Sequence, residues 1–278
     1  MKNFLFICLG ILIGILIFGA LGILYLSLNE YKPEDVTVLK TEVNSDMTSP
    51  STLTLTSWNI GYCGLGENED FILDGGKSSY PVKENFIKYF NGVLDSLSEM
   101  DSDILLLQEV DTNSKRSYST DEYLAIEHVF PEYDSCFAMN YKAIFVPFPL
   151  LNPIGKVESG IATFSKYVID SAERFSLPGE YSWPTRVVHL KRCMSVSEIP
   201  VENSDKSLVV VNIHLSAYDN GDLRTAQLDF LKKFIVDKYE EGYYIVVGGD
   251  WNNILPVPGA DEYELKEGEK YWKPMDIP

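Results

Sequence analysis

Tyr243-Tyr-Ile-Val-Val-Gly-Gly-Asp-Trp-Asn-Asn253 is the stretch on which the reading of this chain turns. Tyr244 to Val247 is a short apolar, β-branched run of the kind buried on both faces of a sheet. Gly248 and Gly249 break the run, and Asp250 and Asn252 follow two positions apart. In an extended chain that spacing sends both polar side chains to one face. A carboxylate and an amide thus project just beyond a buried strand end, where α/β folds gather their chemistry.

Three further stretches share the design. Leu53-Thr-Leu-Thr-Ser-Trp58 leads into Asn59, and Ile104-Leu-Leu-Leu107 leads into Gln108 and Glu109. Leu208-Val-Val-Val211 leads into Asn212 and His214, again two apart. One apolar run with a polar end is ordinary turn chemistry, but four that end in Asn, Glu, Asn/His and Asp/Asn point to a shared site. Oxygen donors with one imidazole suit a hard cation such as Mg²⁺ acting on a phosphate.

The segments Ser57-Trp-Asn-Ile-Gly61, Leu107-Gln-Glu-Val-Asp111, Val211-Asn-Ile-His-Leu215 and Gly249-Asp-Trp-Asn252 resemble successive motifs of the endonuclease/exonuclease/phosphatase superfamily, the DNase I-like fold. They stand in the family's order and cover residues 51–260. The resemblance implies a four-layer α/β sandwich with two packed, mostly antiparallel sheets. It also implies a divalent-metal phosphodiesterase or phosphomonoesterase acting on nucleic acids, inositol phosphates or sphingomyelin.

Phosphoester hydrolysis needs charge neutralisation, an oriented water and a protonated leaving oxygen. Glu109, a carboxylate on a rigid strand end, is the expected metal anchor. Asn59 is expected to ligate the metal or to position its water shell. The expected metal is Mg²⁺, with Mn²⁺ or Ca²⁺ as alternatives. Asp250 and Asn252 are expected to hold the nucleophilic water and a phosphate oxygen, and Asn212 belongs with this catalytic set. His214 is expected either as general acid or as a stabiliser of the transition state. Its imidazole needs an orienting carboxylate. In secreted nucleases of the superfamily a Glu just before the matching strand fills that part, which the resemblance carries to Glu158. Arg192 is a candidate contact for a substrate phosphate, against an edge-strand or ion-paired role.

Family members close with a strand bearing an Asp and a last strand bearing Ser-Asp-His. Here the sequence ends at Pro274-Met-Asp-Ile-Pro278 with no His after His214. The expectation is therefore a chain lacking those strands. The alternative is a catalytically inactive, membrane-tethered module that binds phosphate groups or protein.

The 278 residues are 45% hydrophobic, enough for one large core or two smaller ones. Net charge is −18, and Lys2 is the only charged side chain before Glu30, so the excess of acid falls on the remainder. An acidic surface argues against long DNA as partner, because nucleic-acid affinity comes largely from neutralising phosphates. The expected partner is a phosphate ester: a phospholipid headgroup, a small phosphodiester or nucleic acid. No protein partner is implied. Cys8, Cys63, Cys136 and Cys193 form no CxxC pair and no dense array, so buried thiols are expected rather than zinc or a disulfide framework.

Residues 4–28 carry no charge, enough to cross a bilayer, and no small-x-small cleavage site comes after them. They are expected to form a single-pass signal anchor in the cell membrane within a segment 1–28, with the catalytic domain outside the cell. Residues 29–51 are polar and are expected to form a linker, leaving 52–278 as the catalytic-type domain. Strands are expected at 52–59, 103–108, 134–148, 160–165, 187–196 and 208–215, with helices at 82–97, 120–129 and 223–239. Residues 61–76 are expected as a flexible surface loop, and 174–186 as a loop on the rim that sets specificity. Asp219-Asn-Gly-Asp222 suits a turn and a helix cap. His128 is expected to be structural and His189 a solvated strand residue.

Overall fold

The computed structural model describes residues 2–45, 47–50, 52–72, 75–217 and 222–253. A helix α1, Lys2–Leu28, precedes two short strands, β1 (Val36–Val38) and β2 (Thr41–Glu42). Then come β3 (Leu55–Asn59), α2 (Lys83–Met100), β4 (Ile104–Asp111), α3 (Glu122–Val129), β5 (Asp134–Val146) and β6 (Gly155–Ser165). The second half holds β7 (Ser171–Ser176), β8 (Cys193–Pro200), β9 (Ser207–His214), α4 (Asp222–Glu240) and β10 (Tyr244–Asp250).

Side-chain alternation on the buried strands builds four layers. On β4, Leu105 and Leu107 pack against Phe86, Val93 and Leu97 of α2 and Ile126 of α3. Ile104 and Leu106 point the other way, onto Ile199 and Val210 of the second sheet. On β9 the same alternation turns Val209 and Val211 toward Leu228, Leu231 and Phe234 of α4. A strand apolar at every position therefore serves two cores at once, and for that reason these runs read as continuous rather than alternating.

One sheet runs β2-β5-β6-β4-β3 and the other β1-β7-β8-β9-β10. β3 pairs with β4, and β10 with β9, in parallel, while the other neighbours are antiparallel. The expected four-layer sandwich of mostly antiparallel sheets is the fold observed. In the described residues β3 and β10 stand at the sheet edges and lie against each other. That contact brings all four motif ends to one place.

Three expectations change. The stretch 29–51 is not simply a tether, because β1 pairs with β7 and β2 with β5, stitching this segment to an edge of each sheet. The loop at 61–76 begins as a buried 3₁₀ turn, Gly61–Cys63, rather than on the surface. The strand expected at 187–196 starts only at Cys193, since Thr185–Val188 form a 3₁₀ turn and the chain then approaches the sheet. Cys63, Cys136 and Cys193 are free, buried thiols as expected, and Cys8 is exposed on α1. The turn expected at 219–222 lies outside the described residues except for Asp222, where α4 begins, and so do residues 254–278.

The glycine pair that ends the opening stretch is needed for two different reasons. A Cβ on Gly249, at φ +138°, would stand 2.1 Å from Ile213 O of the neighbouring strand backbone. A Cβ on Gly248 would meet the tip of the Leu106 side chain at 2.7 Å, and that tip can shift. Gly249→Ala is expected to cost about 3 kcal/mol and Gly248→Ala about 1 kcal/mol, the range for overpacking with and without an escape route. Thermal unfolding of the two variants in detergent checks this order. An equal or larger loss for Gly248→Ala would contradict it.

Candidate active site

Register sets the first pair of site residues. In the parallel β9–β10 ladder Asp250 lies opposite His214, and His214 Nε2 sits 3.5 Å from Asp250 Oδ2. In the parallel β3–β4 ladder Asn59 lies opposite Gln108, one residue before Glu109. Asn59 Nδ2 donates to Glu109 Oε1 at 3.1 Å and to Asp250 Oδ2 at 2.8 Å. His214 Nε2 is 3.9 Å from Glu109 Oε1. One amide and one imidazole thus hold two carboxylates from different sheets together.

Glu109 reaches this place because β4 is irregular there. The β4–β6 register slips between Leu107 and Val110, and Glu109 has φ +55°. A bulge of this kind re-aims one side chain out of the sheet. On a strand that is otherwise buried, Glu109 alone turns partly to solvent. Its neighbour Gln108 turns inward, where Nε2 donates to Asn212 Oδ1 at 2.7 Å. Asn212 in turn donates through Nδ2 to Leu107 O and Ala162 O, at 3.2 and 2.9 Å. The amide expected to be catalytic is therefore fully buried, with its hydrogen-bonding groups spent on tying the two sheets together at the bulge.

The structure also places the remaining candidates. Asn252, at φ +48°, donates from Nδ2 to Leu215 O at 2.8 Å, and its backbone N–H donates to Asp250 Oδ1 at 2.9 Å. Asn252 fixes the Asp250 carboxylate, and its side-chain NH₂ is not directed at a substrate. The Asn59 oxygen accepts the Gly61 N–H at 3.0 Å, so the nitrogen faces the acids and Asn59 acts here as their spacer. Glu158 departs from expectation. It lies inside β6 and pairs with Lys156 at 3.4 Å and Lys142 at 4.0 Å, with no contact to His214. His214 Nδ1 is buried without a hydrogen-bond partner, so among the described residues no carboxylate orients the ring from that side. Burial, reinforced by Arg192 and Arg116, holds the His214 pKa well below the ordinary imidazole value. Its ring is neutral at physiological pH.

Beside Glu109 lies a cavity of about 380 Å³. Its wall near Glu109 carries Arg192, Asn140 and Arg116. Arg116 is locked to Asp111 by hydrogen bonds of 3.0 and 2.9 Å and stacks 3.7 Å above the Tyr62 ring. Arg192 has no such lock: its Nη1 is buried with no hydrogen-bond partner, and so is Asn140 Nδ2. Burial lowers the Arg192 pKa from its usual value, while the Glu109 and Asp250 charges oppose that shift. His189 also lines the cavity, with its ring 4.1 Å from the Tyr181 ring. It is half-buried and stands before the strand, not solvated upon it. Burial first, and then Arg192, lower its pKa to about 4. His128 is exposed on α3, away from the cavity lining.

Sequence reading missed Asn140, Arg116, Tyr62 and Tyr181 as cavity-lining residues. Asn140 and Tyr62 carry no local signal, since each sits within an ordinary strand or loop pattern. Arg116, five residues after Asp111, gave a detectable hint as a basic partner for the acid in the second motif.

The sequence matches none of the curated proteins with which it was compared. Among solved structures, an endonuclease/exonuclease/phosphatase from Beutenbergia cavernae DSM 12333 superposes with a TM-score of 0.51 at 17% identity. The match covers 72% of this chain and 47% of that one. ANGEL2, a 2′,3′-cyclic phosphatase, gives a TM-score of 0.51 at 18% identity over 82% of this chain and 60% of its own. ANGEL2 in complex with adenosine-2′,3′-vanadate gives 0.51 at 19% identity over 80% and 59%. The chain thus spans from 47% to 60% of the length of these proteins. A family model described as Endonuclease/Exonuclease/phosphatase family matches residues 56–259, which contain Asn59, Glu109, His214 and Asp250, and the chain belongs to that family.

Proposed function

We propose that this protein is a membrane-anchored, divalent-metal-dependent hydrolase of phosphoester bonds. The observation that carries the reading is Arg192. A guanidinium with a buried, unpartnered N–H stands on a cavity wall beside two carboxylates that share one Asn amide. Buried unpaired charge costs several kcal/mol. An anion in the cavity would satisfy Arg192 and Asn140, and a cation at Glu109 would balance the paired acids. A phosphoester with a divalent cation supplies both. That ANGEL2 is a 2′,3′-cyclic phosphatase, solved with adenosine-2′,3′-vanadate, is consistent with a phosphoester as substrate here.

The donor chemistry fits Mg²⁺, or Mn²⁺ or Ca²⁺ in its place. Among the described residues no three His, Cys, Asp or Glu side chains form a closed cage. Mg²⁺ does not need one, since it keeps several waters and takes one or two carboxylates. Glu109 would hold it, with Asn59 fixing the carboxylate. When bound, the ion supplies charge neutralisation and polarises the phosphoryl oxygens.

The chain's own groups divide the remaining work. Arg192 and Asn140 bind non-bridging oxygens of the phosphate. Asp250, pinned by the Asn252 N–H, accepts the proton of the attacking water. As the phosphorus–oxygen bond breaks on the opposite face, the leaving oxygen takes a proton from solvent and Asp250 returns its own to solvent, so ester and water become alcohol and phosphate. His214 is neutral and faces two carboxylate oxygens, so its proton sits on Nε2. It acts as a hydrogen-bond donor to developing charge rather than as a general acid.

Anchoring rests on α1. The most apolar 18 residues within Asn3–Leu28 have a mean hydropathy of 2.9, and none of them is buried. Directly after α1 the chain is woven into the domain: Glu30 pairs with Lys191 at 3.0 Å and Arg186 at 3.6 Å, and Tyr31 Oη donates to Met139 O at 3.4 Å. Burial opposes the Glu30 charge, but the Lys191 hydrogen bond and charge hold its pKa below the usual value. A cleaved leader joined directly to packed chain is the less natural arrangement. This favours a single-pass anchor in the cell membrane; the short tail before residue 4 is the reason for placing the domain outside the cell. The protein is expected to stay with membranes through carbonate extraction, and recovery of a soluble product beginning near residue 29 would overturn the anchor.

Three outcomes test the chemistry. Hydrolysis of bis(4-nitrophenyl) phosphate by the full chain is expected to require Mg²⁺ or Mn²⁺ and to stop with EDTA. Glu109→Gln and Arg192→Met are each expected to lower the rate at least ~10²-fold with the circular dichroism spectrum unchanged, the scale of losing one transition-state contact. Activity that persists in EDTA would defeat the metal reading. The third concerns pH. With a folded pKa of about 4 for His189 against an ordinary 6.5, the unfolded state binds more protons between those values. Its contribution to stability is full above pH 6.5 and is lost as pH falls toward 4. His189→Gln should flatten that part of the stability profile in urea titrations, and an unchanged slope would contradict the buried neutral ring.

A further inference from the structure

We infer that the cavity opens onto the surface of the bilayer that holds α1, and that the substrate is a phosphoester in the headgroup of a lipid in that same bilayer. This rests on the hydrolase reading above and names the substrate class of that site.

The first observation is where the helix ends. Trp183 Nε1 donates to Ser27 Oγ at 3.2 Å, in the last turn of α1. Lys191 Nζ bridges Glu30 and Glu180 at 3.0 and 3.2 Å. Glu180 and Thr185, on either side of Trp183, line the cavity. A helix that leaves the membrane at Leu28 is thus tied within a few residues to one wall of the site. The cavity has no room to sit far from the lipid surface.

The second observation concerns the hairpin that borders the cavity beside that segment. The hairpin of β5 and β6 turns through residues 147–154, and its flanks Val146 and Ile154 line the cavity and pack near Val188. Its tip presents Phe148, half-exposed, with Leu150 at 89% exposure and Leu151 fully exposed. Among the described residues these two leucines are the most exposed large apolar side chains outside α1. An apolar tip held in water has no structural purpose within the fold, and it matches what a lipid interface accepts. The hairpin base is basic in a chain of net charge −18. Lys115 Nζ donates to Pro153 O at 2.9 Å, and Lys142 on β5 and Lys156 on β6 share the single acid Glu158. Lysines beside an apolar tip suit the level of lipid phosphates.

The lining itself is divided. Arg192, Asn140 and Glu109 are polar, while Val146, Phe148 and Ile154 on the hairpin side are apolar. That division fits a ligand with an anionic head and a hydrocarbon continuation. A nucleic acid would need many neutralised phosphates, which an acidic chain does not supply. One headgroup phosphate needs only Arg192, Asn140 and the cation at Glu109.

The test uses the full chain reconstituted in vesicles of phosphatidylcholine, phosphatidylethanolamine and phosphatidylglycerol. A nitroxide is placed by Leu151→Cys, with Lys232→Cys on the exposed face of α4 as control, both in a Cys8→Ser background. Power-saturation spectra are expected to show the label at 151 relaxed by lipid-soluble oxygen and the label at 232 by a water-soluble nickel chelate. A label at 151 that reports water overturns the inference, including the case in which the tip is covered by another protein instead. In parallel, Leu150→Ser/Leu151→Ser is expected to slow release of the headgroup from vesicle lipid by about tenfold or more, as loss of two leucines from lipid implies. Hydrolysis of bis(4-nitrophenyl) phosphate by the same variant should be unchanged. Equal effects on both substrates, or on neither, overturn the inference, as does turnover of the soluble ester with no vesicle lipid cleaved. A lipid-buried label in a protein that cleaves no phosphoester would instead defeat the hydrolase reading and leave the membrane-facing cavity standing.

Discussion

The buried amide pair Gln108–Asn212 is the contact on which the site depends. It joins β4 of one sheet to β9 of the other, and Asn212 also caps Leu107 O and Ala162 O where the β4–β6 ladder slips. Asn212 is fully paired and Gln108 Nε2 donates twice, to Leu106 O and to Asn212 Oδ1, while Gln108 Oε1 is buried without a partner. Buried amide bonds of this kind specify one arrangement. With Gln108 drawn inward, Glu109 has one way left to point, and its positive φ is the backbone consequence. The same strand that spends Asn212 on the interior delivers His214 two residues later to the outer end. The scaffold and the chemistry are thus alternate residues of single strands.

Charge explains why the cluster stays poised. Glu109 and Asp250 come from different sheets, and the groups between them are an Asn amide and an imidazole that burial keeps neutral. Arg192 compensates them at longer range without a direct ion pair, and its Nη1 is buried with no hydrogen-bond partner. Arg116 shows the contrast. Its bidentate pairing with Asp111 and its stacking on Tyr62 consume its binding capacity, so it is a fixture of the wall. Two guanidiniums on one cavity wall end up with different duties because only one has a partner.

Much of this was legible in the sequence, for a physical reason. Runs such as Ile104–Leu107 and Leu208–Val211 are apolar at every position because each faces a core on both sides, and their polar ends mark where burial stops. That pattern gave the layers, the family and Asn59, Glu109, His214 and Asp250 as neighbours. What failed was anything dependent on register or on distant pairing. Glu158 looked free to orient His214, but the ladder places it between Lys142 and Lys156. Asn212 and Asn252 have the composition of catalytic amides, and only three-dimensional contacts show their NH₂ groups spent on backbone carbonyls. The polar stretch 29–51 lacked strand-like periodicity, yet residues 36–42 pair with both sheets because edge strands that short need no apolar pattern. Asn140 and His189 gave no signal, since a cavity wall is assembled from segments far apart in the chain.

The central claim is that Glu109 and the cavity beside it form one metal-and-phosphate site. The most direct measurement is a crystal of the protein grown with Mn²⁺ and inorganic phosphate, with data collected at the manganese absorption edge. The account predicts one strong anomalous peak within bonding distance of a Glu109 carboxylate oxygen. Phosphate should bridge that ion to Arg192 Nη1. A peak elsewhere, or phosphate bound without contact to Arg192, would contradict it.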